Sequence, residues 1–260
     1  DIYREHLDEL DMVMRPYDDG VIYEFDSLDE VGAFDPYFIE NVDSSILDNI
    51  CRVLEAERTD INSIEPISQG LTNLSFLFCC AGKKYVYRHP GAGTQEIINR
   101  ESEAFSQRVA HDLGLDDTYV YEDGNEGWKI SLFIEGCSEL DYHDEAQVAK
   151  AMEMARTLHG CGVSSQWSFN VHDNTKELID LLGAQHRATF KDFKELFKLV
   201  DGLANYVAND GVEPCLCHND FYSPNFLVTS EKMYLIDWEY SGMSDYASDL
   251  GTFICCSDYT

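Results

Sequence analysis

"CLCHNDFYSPNFLV", residues 215–228, is the stretch on which the reading of this chain turns. A short apolar run ends at His218, an acid follows at Asp220 and an amide at Asn225, and the chain turns apolar again. The spacing His218-x-Asp220-x-x-x-x-Asn225 is that of a loop built for phosphoryl transfer, as in kinases. One carboxylate must meet the hydroxyl that attacks a γ-phosphate and take its proton. A second group must hold a metal ion on the phosphates, and a neutral amide does so while adding no negative charge. Pro224 stiffens the turn between them through its fixed φ.

Such a site needs a further metal carboxylate. "MYLIDWEY", residues 233–240, offers Asp237 at the end of an apolar run, twelve residues after Asn225. The intervening segment can form a hairpin that brings both side chains to one mouth, where Asp237 would bridge Mg²⁺ to nucleotide phosphates. Asp or Asn alone commonly caps a turn; the two motifs in this order carry the signal. His218 is expected to brace the loop rather than touch substrate.

Working outward, residues 46–57 have helical apolar spacing, and residues 64–88 read as strand, turn, strand. "NLSFLFCCAG" and "KKYVYRHPG" form a hairpin with Gly82 and Lys83 at its turn, and "TQEIINRESEAFSQRVAHDLG" a helix with Thr94 as candidate N-cap and Gly114 past its end. Two more strands are joined by Asp123-Gly124-Asn125. Beyond Gly136, "DEAQVAKAMEMARTLHGCG" is an amphipathic helix, and residues 174–210 supply one or two more. The expected fold class is α+β: a protein-kinase-like fold of two lobes, with a small antiparallel-sheet lobe over 44–135 and a helix-rich lobe over 136–260, connected near 134–138. The apolar run at the end, "GTFICCSDY", reads as the start of a helix with nothing to pack against, so C-terminal helices are expected to lie outside this sequence. The acidic start without an initiator Met is no signal peptide and reads as a processed form or a piece of something longer.

In this scheme the small lobe holds ATP. "ISQGLTNLSF" is the phosphate-covering, nucleotide-binding turn, with Gly70 permitting close backbone approach, Leu71 next to it, and Thr72 and Asn73 offering hydrogen bonds. An ordinary hairpin turn would look the same. Arg88 is the cation for the phosphates, with Lys84 its competitor at the strand start. Glu101 or Glu103 could pair with Arg88, and Glu101 is the favoured partner. The backbone of Phe133 and Ile134, in "SLFIEG", is the expected meeting point with adenine.

The 260 residues suffice for two lobes around a cleft, and 44% are hydrophobic. No apolar stretch approaches the roughly 18 residues of a membrane span. Asp and Glu number 49 against 18 Lys and Arg, a net charge of −31 that argues against nucleic acid and against docking on anionic lipid. Much of it reads as a solvated surface, though a negative field also attracts a cationic substrate. Nine cysteines sit mostly in apolar runs. Cys215, Cys217 and His218 cluster without the second pair that a zinc site would need, so no zinc site is expected, only reduced, buried thiols in a cytoplasmic protein. Oligomeric state is not legible.

These residues resemble the choline/ethanolamine kinase family, within the aminoglycoside-phosphotransferase-like kinases. "CHNDFYSPNFLV" and "LIDWEYSGMSDYASDLGTF" carry the resemblance, and "QGLTNLSF", "YVYRHPG", "NRESEAF" and "ARTLHG" fall in that family's order. It covers roughly residues 60–260. The resemblance implies Asp220 as base, Asn225 and Asp237 as Mg²⁺ ligands, and Arg88 in place of the usual kinase lysine. It implies a cage in which aromatic faces hold a quaternary ammonium, with Tyr240 facing choline beside Glu239, and Asp249 bracing the catalytic turn. Choline is the first acceptor so implied; ethanolamine, an aminoglycoside or another small amino alcohol is the runner-up, and a catalytically inactive nucleotide-binding fragment the alternative of another class. Residues 1–43 are a separate matter: "VIYEFDSLDEVGAFDPYFI" resembles the tail of a nucleotidyltransferase, which would make the chain part of a bifunctional cytidylyltransferase/choline kinase.

Overall fold

The computed structural model of the chain describes residues 31, 35, 37–67, 73–91, 93, 94, 97–184 and 191–259. The chain divides into two compact units, residues 1–44 and 45–260. Within the first, the described residues include one helical turn, Phe38–Asn41; the stretch resembling a nucleotidyltransferase tail falls mostly outside the described residues.

The second unit opens with helix α1 (Ser45–Leu54), which buries Leu47 and Ile50. Five antiparallel strands follow: β1 (Ile61–Ile67), β2 (Asn73–Cys80), β3 (Lys83–Pro90), β4 (Tyr119–Glu122) and β5 (Lys129–Leu132), in the order β1-β2-β3-β5-β4. The β2–β3 turn is Ala81-Gly82, one residue earlier than the sequence suggests. Both have positive φ, 49° and 76°, the handedness that matches strand twist in a two-residue hairpin. Register then pairs Phe76 with Tyr87 and Ser75 with Arg88. Tyr87 stacks on Phe76 and on Trp128, with centroids 5.2 and 5.6 Å apart. These aromatics form the apolar layer of the small lobe.

Between β3 and β4 runs α2 (Arg100–Asp112). Its N-cap is Asn99, whose side chain accepts from the Ser102 amide, not Thr94. Thr94 lies upstream, where its hydroxyl donates to the Gly91 carbonyl and accepts from Arg100.

The larger lobe is built on α3 (Glu145–His159), capped by Asp144, which accepts from the amides of Ala146 and Gln147. Its buried face is Ala151, Met154, Ala155 and Leu158, a helical stripe. Helices α4 (Val171–Ala184) and α5 (Phe193–Val207) follow. Short strands β6 (Cys215–Cys217), β7 (Phe226–Val228), β8 (Met233–Leu235) and β9 (Gly242–Ser244) form two pairs, β6 with β9 and β7 with β8. Helix α6 (Ala247–Cys256) buries Asp249 and Phe253. Phe221, Phe226 and Trp238 are fully buried against Leu158, Leu216 and Phe253. The loops between the short strands thus emerge from a packed base. The result is a mixed α+β unit with an antiparallel sheet in one lobe and helices dominating the other. Among the described residues, no helix is long and apolar enough to cross a membrane, and all nine cysteines are free.

Candidate active site

The loop after β6 is tied down before it presents any side chain outward. Asp249, wholly buried at the start of α6, accepts from the backbone amides of His218 at 3.0 Å and Asn219 at 2.6 Å, and from His159 Nε2 at 2.8 Å. His218 is also fully buried; its Nε2 meets the Ile236 carbonyl at 2.9 Å and its Nδ1 accepts from the Asp220 amide at 3.3 Å. Asn219 takes positive φ, 63°, and its side-chain amide donates to the Tyr240 carbonyl at 3.0 Å. A 3-10 turn with Pro224 in its first positions carries the chain to Asn225. Ser223 fixes that turn, donating from its amide to Tyr142 Oη and from its hydroxyl to the Leu140 carbonyl.

Asp220 and Asn225 meet directly: Asn225 Nδ2 donates to Asp220 Oδ2 at 2.8 Å and to the Asp220 carbonyl at 2.8 Å. The β7–β8 hairpin pairs Phe226 with Leu235, and the Ile236 amide donates to the Asn225 carbonyl at 2.9 Å. Asp237 therefore emerges next to Asn225. The strand has ended by then, and Asp237 adopts positive φ, 66°, a conformation of the kind that collects at functional sites in non-glycine residues. Burial raises the Asp220 pKa above the usual carboxylate range; the Asn225 hydrogen bond opposes this and the Asp237 charge adds to it. Burial also raises Glu239, followed by the charge of Asp237.

From the sheet side, Arg88 reaches this cluster. Its Nη1 lies 3.2 Å from Asp237 Oδ1, and its Nη2 pairs with Glu103. Glu103, wholly buried, is the partner, whereas Glu101 faces solvent. Two residues along a helix turn a side chain by about 200°, so only one of the two can face the sheet. Lys84 is solvent-facing, paired with Glu135. Glu103 also accepts from Arg100 Nη1 at 2.8 Å and Lys129 Nζ at 3.2 Å. Burial would raise Glu103, but Arg88, Lys129 and Arg100 outweigh it and bring its pKa down to about 2. Arg88 is pulled down by burial and pushed further up by Glu103 and Asp237. Arg100 links Glu103 to Asn73 at 3.0 Å and Thr94 at 3.0 Å, and Asn73 donates to Glu239 at 3.1 Å.

Gly70, Leu71 and Thr72 lie outside the described residues. At the lobe connection, the Phe133 amide donates to the Lys84 carbonyl and the Ile134 carbonyl accepts from the Cys137 thiol at 3.3 Å. Tyr240 borders a cavity of about 630 Å³ with Phe169, Ile97, Leu178, Glu177 and Asp180. Its ring meets Phe169 edge-on at 5.9 Å.

The oxygen chemistry suits a small hard cation. Asn225 Nδ2 is taken by Asp220, so its amide oxygen would be the atom it offers a cation, with the Asp237 carboxylate, 39% exposed, as a second oxygen donor.

Comparisons with known proteins give the family and the fold. The profile of the phosphotransferase enzyme family matches residues 63–260. The chain belongs to that family. It is 28% identical over 189 residues to Protein LicA of Haemophilus influenzae, covering 71% of this chain and 56% of that protein. It is 26% identical over 212 residues to a probable ethanolamine kinase of Arabidopsis thaliana, covering 73% and 54%. The chain thus spans about half the length of these relatives. The crystal structure of choline kinase LicA from Streptococcus pneumoniae superposes with a TM-score of 0.71 at 26% identity, over 83% of this chain and 74% of that one. A structure of LicA in complex with AMP gives 0.71 at 26% identity, over 84% and 77%. The two-lobe fold is therefore that of the choline and ethanolamine kinases, protein-kinase-like in form.

Sequence reasoning missed Arg100, Lys129, Glu122 and His159 within this family framework. Arg100 and Glu103 share the inward stripe with Gln107 and Ala110, and that helical phase was the available signal.

Proposed function

We propose that this chain carries an ATP-dependent kinase activity that phosphorylates the hydroxyl of choline. The observation that carries the reading is the Asp220–Asn225 hydrogen bond, with Asp237 set beside it by the Asn225–Ile236 backbone pair. Asp220, its carboxylate made more basic by burial, takes the proton of the attacking hydroxyl. Arg88, held by Glu103, offers a fixed cation to the phosphates. Asn225 and Asp237 would hold Mg²⁺, whose charge offsets that of the phosphates and of the surrounding carboxylates. The similarity to a structure of LicA in complex with AMP supports nucleotide binding by this chain. Asn73 and Arg100 stabilise the far side of that site, and the Ile134 backbone is the proposed adenine contact.

The acceptor side favours a cation. The cavity beside Tyr240 combines two aromatic rings with Glu177 and Asp180, a combination that attracts a quaternary ammonium through ring faces and field together. The similarity to choline kinase LicA agrees with it. The similarity to a probable ethanolamine kinase keeps ethanolamine as the second reading. Residues 1–43 are proposed as the tail of a nucleotidyltransferase domain preceding the kinase, resting on the resemblance of residues 21–39.

The test is direct detection of phosphorylated product, with choline, ethanolamine and kanamycin offered alongside Mg-ATP. Choline is expected to be preferred, ethanolamine to be weaker and kanamycin inert. A preference for kanamycin contradicts the reading, and tight Mg-ATP binding without transfer to any of the three assigns a nucleotide-binding fragment instead.

A further inference from the structure

At the base of the same loop three potential ligands of another kind converge, with a second thiol beside one of them. Strand alternation puts Cys215 and Cys217 on one face of β6, and their Sγ atoms lie 3.7 Å apart. His159 comes from the last turn of α3 and Asp249 from the first turn of α6, joined at 2.8 Å. The ligating atoms of His159, Cys217 and Asp249 all lie within 4.8 Å of one another. We propose that His159, Cys217 and Asp249, with the adjacent Cys215 thiol moving in as fourth ligand, form a site for a thiophilic divalent cation of the zinc class, separate from the magnesium position.

The geometry is close to what such an ion requires. Zinc–sulfur bonds of about 2.3 Å in a tetrahedron set the two sulfurs about 3.8 Å apart, and the two thiols already stand at that separation. Two sulfurs, an imidazole and a carboxylate select zinc or cadmium over magnesium, which prefers oxygen throughout. Cys217 is fully buried, while Cys215 and His159 keep partial exposure, which gives the ion a path in. On binding, each thiol gives its proton to solvent, and the metal replaces the His159–Asp249 hydrogen bond, with the His159 ring proton moving from Nε2 to Nδ1.

The site has a consequence for the loop in front of it. Asp249 holds the amides of His218 and Asn219, so an ion that recruits this carboxylate pulls on the anchor of Asp220. Occupancy is expected to slow phosphoryl transfer. That consequence rests on the kinase reading above; the binding itself does not.

The full chain, reduced, is titrated with cadmium and followed by the thiolate-to-metal charge-transfer absorption, and zinc stoichiometry is measured in parallel. One tight equivalent is expected in the wild type and in the Cys255→Ser/Cys256→Ser variant, which removes the exposed thiol pair. In Cys215→Ser/Cys217→Ser the affinity should fall at least about tenfold. Unchanged binding in that variant, or loss of binding in the Cys255/Cys256 variant instead, overturns the proposal. Should Cys215→Ser/Cys217→Ser fail to fold, zinc must slow alkylation of Cys215 in the wild type while leaving Cys255 reactive; equal labelling with and without zinc overturns it too. Binding at this site with no effect on phosphate transfer to choline, in a chain that does transfer it, would refute the coupling alone.

Discussion

Glu122 and Glu103 lie in the same buried charge cluster and titrate in opposite directions. Both carboxylate oxygens of Glu122 are buried without a hydrogen bond. Burial first, and then the charge of Glu103, raises its pKa from 4.5 to about 7. Its native state keeps a proton that the unfolded chain releases, so this group costs stability as pH rises between those two values. Glu103, lowered to about 2, contributes stability that is present above its ordinary 4.5 and lost as pH falls toward 2. Glu122→Gln, an uncharged isostere, should therefore gain stability over the wild type on going from about pH 5 to about pH 8, by about 2 to 3 kcal/mol. Urea unfolding at the two pH values measures this, and a difference that does not change with pH contradicts it. Glu103→Ala leaves Arg88, Arg100 and Lys129 short of their shared counter-charge and should cost about 3 to 5 kcal/mol by the same measurement; a loss below about 1 kcal/mol would show that the three cations find other partners. At this scale the sequence was most legible where chemistry is local. Asp220, Asn225 and Asp237 stand out because a short loop and a short hairpin fix their spacing. The choice between Glu101 and Glu103 was less visible, since it depends on the rotation of α2 against the sheet.

The elements place these residues through their ends more than their lengths. Helix α2 starts at Arg100 because Asn99 caps it, and that start sets the phase that turns Arg100 and Glu103 inward. Asn99→Ala should lower stability by about 1 kcal/mol, checked by denaturant unfolding; an unchanged midpoint would mean another group satisfies the Ser102 amide. The alternating runs of β2 and β3 were readable because each has a long two-sided pattern and a glycine turn. Strands β7 and β8 are three residues each, too short for periodicity to mark their limits, and the apolar run through Ile236 hides the point where the strand stops. The positive φ at Asp237 marks that stop, and residue type alone does not announce it. The start of α2 was misplaced for a similar reason: Thr94 is a good cap by composition, but Arg100 takes its hydroxyl into the charge cluster.

For the whole molecule, a net charge of −31 means that compaction works against self-repulsion. Raising ionic strength toward about 0.5 M shortens the screening length to only a few ångströms. Tm should rise with salt as a result; a Tm that falls would mean the favourable ion pairs outweigh the repulsion. The same excess of acid would favour the approach of the cationic acceptor proposed above, while Arg88 and Arg100 are held in place by their carboxylate partners. The central claim is that Asp220 acts on the acceptor hydroxyl while Asn225 and Asp237 serve the metal and nucleotide. The most direct test follows transfer of the labelled γ-phosphate of ATP to choline in the wild type and in Asp220→Asn, with Mg-nucleotide affinity measured on the same samples. The account predicts that Asp220→Asn loses transfer by at least about a hundredfold and keeps nucleotide affinity, and equal loss of both, or transfer that survives the substitution, would contradict it.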